Sequence, residues 1–381
     1  MIRILTIVGA RPQLIKAAAI SRVIRSKFAD EIEEIILHTG QHYDSNMSAV
    51  FFEELDIPEP EINLEIGSGS HAVQTARMME GIEQGILDYQ PNVLLIYGDT
   101  NSTCAGALAA VKLHVPVVHI EAGLRSFNKK MPEEVNRIAA DHMSTLLFSP
   151  SEAGLFNLQR EGFEKETQPP FSADNPKIYQ CGDIMYDNSL HFSELAVDKA
   201  EIKSSKGLGN NDYILVTVHR PSNTDEAENL IQIFEGLLEL ANNGEVVLIP
   251  LHPRTVEAMK RNLTEELLGE LELSDEIILL PPASFLEMID LEKDAKMIIT
   301  DSGGIQKEAF FFKKPCIVLR NETEWVELVE NGNTVLTGPN KEKILAAYTE
   351  LKQIDNFTYP DFYGNGNAAE FICSEIVKQL G

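Results

Sequence analysis

Short apolar, β-branched runs alternate with longer segments of helical periodicity along almost the whole chain. One set of runs covers residues 2–8, 34–38, 92–97, 115–120 and 145–148. A second covers 213–218, 246–250, 277–280, 297–300 and 316–319. None alternates strictly between polar and apolar positions. Each therefore reads as a strand buried on both faces, as in a parallel sheet covered by helices. Leu230, Ile233, Phe234, Leu237, Leu238 and Ala241 recur at i, i+3, i+4, i+7, i+8 and i+11, which is one apolar helix face. Alternation of this kind predicts an α/β fold with two Rossmann-like, doubly wound parallel-sheet domains. The polar, proline-rich stretch at 164–176 divides them, giving domains of 1–170 and 176–364. A second polar stretch at 359–367 precedes a last helical pattern. That C-terminal helix, about 365–381, is expected to pack back on the first domain.

The chain has 381 residues, and 32 Lys+Arg against 59 Asp+Glu give a formal net charge of −27. So acidic a surface argues against nucleic acid and anionic membrane as partners. It leaves an anionic small molecule open, because local Arg, Lys and helix N-termini override the mean field. The cysteines Cys104, Cys181, Cys316 and Cys373 are far apart and form no CxxC pair. Reduced thiols in a cytoplasmic protein are the simplest reading, with no zinc site or disulfide framework. The apolar start of the chain stops at Gly9 and meets Arg11-Pro12, too short for a signal peptide. No uncharged apolar run approaches the roughly 18 residues of a membrane span.

Ligands of doubly wound sheets bind at the carboxyl ends of the strands, so the first polar residues after each run carry the information. Pro12 suits the first turn of a helix, and Arg11 stands beside that helix's positive end, placed for a phosphate or simply at the surface. Asp99, after the run at 92–97, reads in isolation as an N-cap. Glu121 ends the next run, where a buried Glu is costly without a partner or a task. Two neighbouring strands each ending in a carboxylate are harder to explain as caps. Glu133 and Glu134 enter a helix, where acids complement the dipole. In the second half, His219 and Arg220 end one run, and Ser302, Gly303 and Gly304 join another run to a helix. Such a turn brings backbone N–H groups to a diphosphate. Glu308, just over one turn further on, is placed to accept from ribose hydroxyls. His252, His38 and His42 also follow strands and are secondary candidates. There is no GxGxxG, Walker A loop, GxSxG elbow or metal-ligand spacing, so no cofactor and no metal are expected.

Seven motifs occur in order: GARPQLIK (9–16), HTGQHYD (38–44), GDTNST (98–103), HIEAGLRS (119–126), PEEVNR (132–137), VTVHR (216–220) and DSGGIQKEA (301–309). With them the chain resembles the non-hydrolysing UDP-N-acetylglucosamine 2-epimerase family over essentially its whole length. The resemblance implies two Rossmann-like domains facing across a cleft in a GT-B-like arrangement. It implies a homodimeric cytoplasmic isomerase that acts on a UDP-sugar in surface polysaccharide precursor synthesis, without nicotinamide. By motif it implies that Asp99, Glu121, Glu133 and His219 are catalytic, and that Arg11, Lys16, Ser302, Gly303, Gly304 and Glu308 bind the UDP-sugar.

The chain departs from the common pattern of the family in three places. The loop between Glu121 and Glu133 is short, Trp325 stands where many members have Arg, and Phe311-Phe312 and the run at 219–225 are distinctive. These features resemble a subgroup acting on UDP-2,3-diacetamido-2,3-dideoxyglucuronate. Two substrates therefore stand open, that uronate and UDP-GlcNAc. Arg125, Lys129, Lys130 and Arg220 are candidate cations for a uronate carboxylate.

The chemistry fits these residue types. The C2 hydrogen of UDP-GlcNAc is not adjacent to a carbonyl, so an enolate is not available. Elimination of UDP across C1–C2 gives a 2-acetamidoglucal, and re-addition inverts C2. That route needs acid–base groups on both faces of the ring and stabilisation of the leaving diphosphate. Which carboxylate takes the proton is open at this level. A GT-B glycosyltransferase would share the UDP site, but would not obviously need carboxylates at 99, 121 and 133 together. A hydrolysing epimerase or a non-catalytic nucleotide-sugar sensor would also share that site.

Overall fold

The computed structural model describes residues 1–41, 58–195, 207–209 and 212–381. The chain divides into two compact units, Met1–Asn188 with Asp361–Gly381, and Ser189–Pro360. The first is built on seven parallel strands in the order β3-β2-β1-β4-β5-β6-β7. These are β1 (Ile2–Val8), β2 (Ile32–His38), β3 (Ile62–Asn63), β4 (Val93–Tyr97), β5 (Val117–Ile120), β6 (Leu146–Ser149) and β7 (Lys177–Gln180). Every residue of β4 and β5 is buried, which is why those runs carry no polar alternation. Leu5, Ile7, Leu94 and Ile96 pack one face against Met78, Ile82, Ala105 and Ala109 of two covering helices.

The second unit holds six parallel strands in the order β10-β9-β8-β11-β12-β13. They are β8 (Tyr213–Thr217), β9 (Val246–Pro250), β10 (Ile277–Leu280), β11 (Met297–Thr300), β12 (Cys316–Val318) and β13 (Thr334–Leu336). The helix Ala227–Asn242 buries Leu230, Ile233, Phe234, Leu237, Leu240 and Ala241 against this sheet, and Leu238 packs at its margin. In each sheet the strand order reverses once, between β1 and β4 and between β8 and β11. Those reversals are the switch points where doubly wound folds bind ligands. Arg11 and Asp99 follow the strands of the first switch, and His219 and Ser302 those of the second.

The domain boundary expected at 164–176 falls instead between Asn188 and Ser189. The proline-rich stretch is a self-bonded loop of the first unit, closed by a Ser172–Asn175 bridge and by Asn175 donating to the carbonyls of Gln168 and Pro170 at 2.8 and 2.9 Å. After it, β7 still joins the first sheet. Proline content marked the loop correctly as non-helical, but not as a linker. The C-terminal helix Ala368–Leu380 packs on the helix Arg11–Lys27, with Ile372 and Ile376 buried and Lys27 paired with Glu370. Asp187 accepts the N–H groups of Ala368 and Ala369 at 3.2 and 2.8 Å. Among the described residues, no helix is long and apolar enough to cross a membrane.

Candidate active site

In the first unit, the turn after β1 lies close to its neighbours. A Cβ at position 9 would fall 2.1 Å from Thr39 Oγ1 and 2.3 Å from Ser102 Oγ, so only glycine fits. Gln13 is buried and clamps the turn. Its Oε1 accepts from the N–H of Gly9 at 3.0 Å and Ala10 at 3.2 Å, and its Nε2 donates to the Tyr97 carbonyl at 3.0 Å. Arg11 opens the helix from an exposed position. One turn on, the Lys16 ammonium is paired with the Glu121 carboxylate, both side chains largely buried. The pair rests against Gly98, whose φ is +60°, and a Cβ there would lie 3.1 Å from Glu121 Oε2 and 3.2 Å from Lys16 Nζ. Lys16, grouped by motif with the nucleotide ligands, thus has a catalytic-candidate carboxylate as its partner.

Asp99 follows Gly98 and is bonded to Arg137, a guanidinium only 5% exposed. Asn136 holds the same turn by donating to the Asp99 carbonyl at 3.0 Å. Burial raises the Asp99 pKa above the ordinary carboxylate value. Arg137 pulls against it, the nearby charge of Glu121 adds to it, Lys16 opposes it, and Glu133 adds to it again. The three carboxylates expected to be catalytic therefore share one electrostatic neighbourhood. Glu133 is exposed on the first turn of the helix Pro132–Asp141, whereas Glu134 is buried and differently occupied. Glu134 accepts the N–H groups of Ser126 and Phe127 at 2.8 and 2.9 Å and holds the short loop in shape.

In the second unit, Asp301 is fully buried and organises the end of β8. It accepts from the N–H of His219 at 3.0 Å, the N–H of Arg220 at 2.9 Å and Asn223 Nδ2 at 3.0 Å. His219 Nδ1 lies 3.2 Å from Asp301 Oδ1, and 41% of the imidazole side chain is exposed. The orienting carboxylate behind that histidine was not singled out in the sequence, although it opens the DSGG motif. His252 is 6.0 Å from His219 between ring centroids, and its Nδ1 accepts the Arg254 N–H at 3.1 Å.

Ser302 caps the helix Gly303–Phe311, its side chain accepting from the Ile305 N–H. A Cβ on Gly303 would find nothing nearer than 3.8 Å, and one on Gly304 nothing nearer than 3.8 Å. Packing within the protein therefore does not require glycine at either place. The nearest atoms to the Gly303 position are guanidinium nitrogens of Arg220 and Arg320, each at 3.8 Å. Arg320 chelates Glu324 at 3.0 and 3.2 Å. Burial opposes ionisation of Glu324, but these bonds and the charge of Arg220 bring its carboxyl below the usual range. Trp325 is buried and donates from Nε1 to the Gly303 carbonyl at 2.9 Å. Lys307 Nζ sits 4.2 Å from the centre of its indole ring, a cation–π contact. Trp325 is therefore the platform on which this chain seats a lysine. Glu308 is buried. The carboxyl of Glu292 is driven well above the ordinary range, by burial first and then by the charge of Glu308.

Two sequence candidates change role. Arg125, proposed as a sugar-facing cation, is buried and spent on Asp141 at 2.7 Å and on Glu161 through two 2.7 Å bonds. His38 is buried, and its Nδ1 accepts the Gly40 N–H at 3.0 Å, so it closes a turn. His42 lies outside the described residues. Lys129 and Lys130 are exposed on the short loop. Among the described residues, no group of three or more His, Cys, Asp or Glu side chains is arranged to hold a metal ion.

A family model for UDP-N-acetylglucosamine 2-epimerase matches residues 25–377. The chain is 46% identical over 380 residues to the UDP-2,3-diacetamido-2,3-dideoxy-D-glucuronate 2-epimerase of Pseudomonas aeruginosa, covering 99% of each chain. It is also 46% identical over 379 residues to a UDP-N-acetylglucosamine 2-epimerase homolog of Methanococcus maripaludis, covering 99% of this chain and 100% of that one. The crystal structure of Methanocaldococcus jannaschii UDP-GlcNAc 2-epimerase in complex with UDP-GlcNAc and UDP matches with a TM-score of 0.84 at 39% identity. That match covers 99% of this chain and 100% of the other.

Proposed function

Since the chain belongs to the UDP-N-acetylglucosamine 2-epimerase family, we propose that it inverts C2 of a UDP-linked 2-acetamido sugar, converting UDP-GlcNAc to UDP-ManNAc. The observation that carries this reading is the grouping of Asp99 and Glu121, at the ends of the neighbouring strands β4 and β5, with Glu133 of the helix Pro132–Asp141 in one electrostatic neighbourhood, Asp99 being raised toward acid–base use. A carboxylate takes the C2 proton as the C1–O bond breaks. The C–H electron pair becomes the C1=C2 bond of a 2-acetamidoglucal, and UDP departs with the glycosidic electron pair. UDP then adds back to C1 while a proton is delivered to the other face of C2. His219, oriented by Asp301, is the remaining acid–base group. Ser302, Gly303 and Gly304 offer backbone N–H groups to the diphosphate, Glu308 takes the ribose hydroxyls, and Arg11 supplies a further guanidinium to the phosphates. The family supports placing this isomerase, as a homodimer, in the cytoplasm and in the synthesis of polysaccharide precursors.

A second reading keeps the chemistry and changes the sugar to UDP-2,3-diacetamido-2,3-dideoxyglucuronate. The 46% identity to the Pseudomonas aeruginosa enzyme favours it, as do the short 121–133 loop and Trp325. Turnover in D₂O tests the shared mechanism, and the product should carry deuterium at C2. Inversion with the original hydrogen fully retained would overturn elimination and re-addition. Side-by-side kcat/KM on the two UDP-sugars then assigns the substrate. A tenfold preference, about 1.4 kcal/mol in transition-state binding, decides between them.

A further inference from the structure

His119 is the one polar residue of β5, and it is completely buried. Each of its ring nitrogens meets an oxygen. Nδ1 is 2.7 Å from Asp141 Oδ1, and Nε2 is 2.7 Å from the carbonyl oxygen of Gly98. A carbonyl can only accept. Asp141 is fully buried as well, and it is kept ionised. Burial opposes its charge, but the bonds from His119 and Arg125 prevail and hold its carboxyl below the ordinary range. An ionised carboxylate also only accepts, so the ring carries a hydrogen on both nitrogens and donates twice. The second oxygen of Asp141 accepts from the backbone N–H of Gly123 at 3.1 Å and from Arg125 at 2.7 Å.

This cluster grips two turns at once. Gly98 immediately precedes Asp99, and Gly123 lies two residues after Glu121. Gly98, Glu121 and Gly123 all have positive φ, at +60°, +72° and +82°. For Glu121, which has a Cβ, that conformation is strained, and the surroundings must hold it in place. The link to Gly98 is direct, because a rotation of the 98–99 peptide that released its carbonyl from His119 would swing the Asp99 carboxylate. Misplacement of a reacting group by about 1 Å can cost about 100-fold in rate.

We propose that His119, with Asp141 behind its ring, is the positioning residue for the Asp99 carboxylate and for the Glu121 carboxylate packed on the same turn, acting through the Gly98 carbonyl. The inference rests on the epimerase reading of those carboxylates, and its test separates the two. His119→Gln can keep a donor toward Gly98, while His119→Asn keeps one toward Asp141 and loses Gly98. With UDP affinity unchanged in both, His119→Asn should lower kcat at least 100-fold with KM within about threefold. His119→Gln should stay within about tenfold of the parent. Equal losses, or a larger loss in the Gln variant, overturn the proposal, because a role in packing or in holding Asp141 predicts that order. If either variant fails to fold, nitrogen NMR of the unmutated protein decides. The His119 Nε2 proton should be slow to exchange and hydrogen-bonded to the Gly98 carbonyl, and absence of that bond overturns the inference. Absence of C2 inversion by the unmutated protein on either UDP-sugar instead overturns the epimerase reading, and the NMR result stands independently.

Discussion

The ammonium of Lys16 is paired with the carboxylate of Glu121, and the two pack tightly against the place a Cβ on Gly98 would take. A lysine that served the nucleotide would reveal itself in UDP affinity, and one that serves Glu121 in turnover. Lys16→Met should lower kcat by about 10- to 1,000-fold and leave the UDP Kd within about threefold. Calorimetry with UDP beside steady-state kinetics separates the two. A Kd weakened in proportion to the rate would return Lys16 to the nucleotide.

The Asp99 carboxyl titrates above its ordinary value because burial outweighs the stabilising charge of Arg137. Removing that charge disfavours the carboxylate further. In Arg137→Met, the limb of the kcat/KM profile governed by Asp99 should therefore move to higher pH. A limb that stays in place or moves down would show that another group governs it.

Glu133 and Glu134 are adjacent in sequence and opposite in consequence. Glu133 is exposed, so Glu133→Gln should keep the parent Tm while losing about 10²–10⁴ in kcat, a loss of turnover also expected of Asp99→Asn and Glu121→Gln. Glu134 is buried and accepts from Ser126 and Phe127, so Glu134→Ala should cost about 1–3 kcal/mol of stability. Thermal melts of the two variants, compared with their turnover, check the pair. Near-native turnover in a folded Glu133→Gln variant would make Glu133 a helix-end acid only.

Gly303 has room for a methyl group as far as the protein is concerned. Gly303→Ala should leave Tm unchanged or slightly raised, since alanine favours a helix by up to about 1 kcal/mol over glycine. If the diphosphate approaches this backbone, UDP should nonetheless bind at least tenfold more weakly. Full UDP affinity in the alanine variant would take the phosphates away from this turn.

The central strands were readable because burial on both faces strips polar residues from them, as in β4 and β5. The short strands β3, β7 and β13 lie at sheet edges, where two to four partly exposed residues leave no apolar run to detect. Asp99, Glu121 and Ser302 were visible as polar residues at strand ends. Asp301, Arg137 and Gln13 were not, because each acts through a bond to a residue distant in sequence or to backbone atoms. His119 sat inside an apolar run, where a lone histidine gives no sign of what its two nitrogens face. Arg125 had the charge of a ligand and the burial of a core residue, and only the second is encoded in its contacts.

The chain leaves the first unit after Asn188 and re-enters it at Asp361. On either side of that gap the two ends are bonded to each other. The Asp183 N–H donates to the Tyr363 carbonyl at 3.0 Å, and Gly182 meets Tyr363 so closely that a Cβ would fall 2.7 Å from its oxygen. Topologically the second unit is an insertion hosted by the first. Its polypeptide is a single uninterrupted segment, Ser189–Pro360, that one cut at each edge would excise. The insertion leaves and returns beside one bonded pair, so the carboxylate-bearing frame keeps its own ends together.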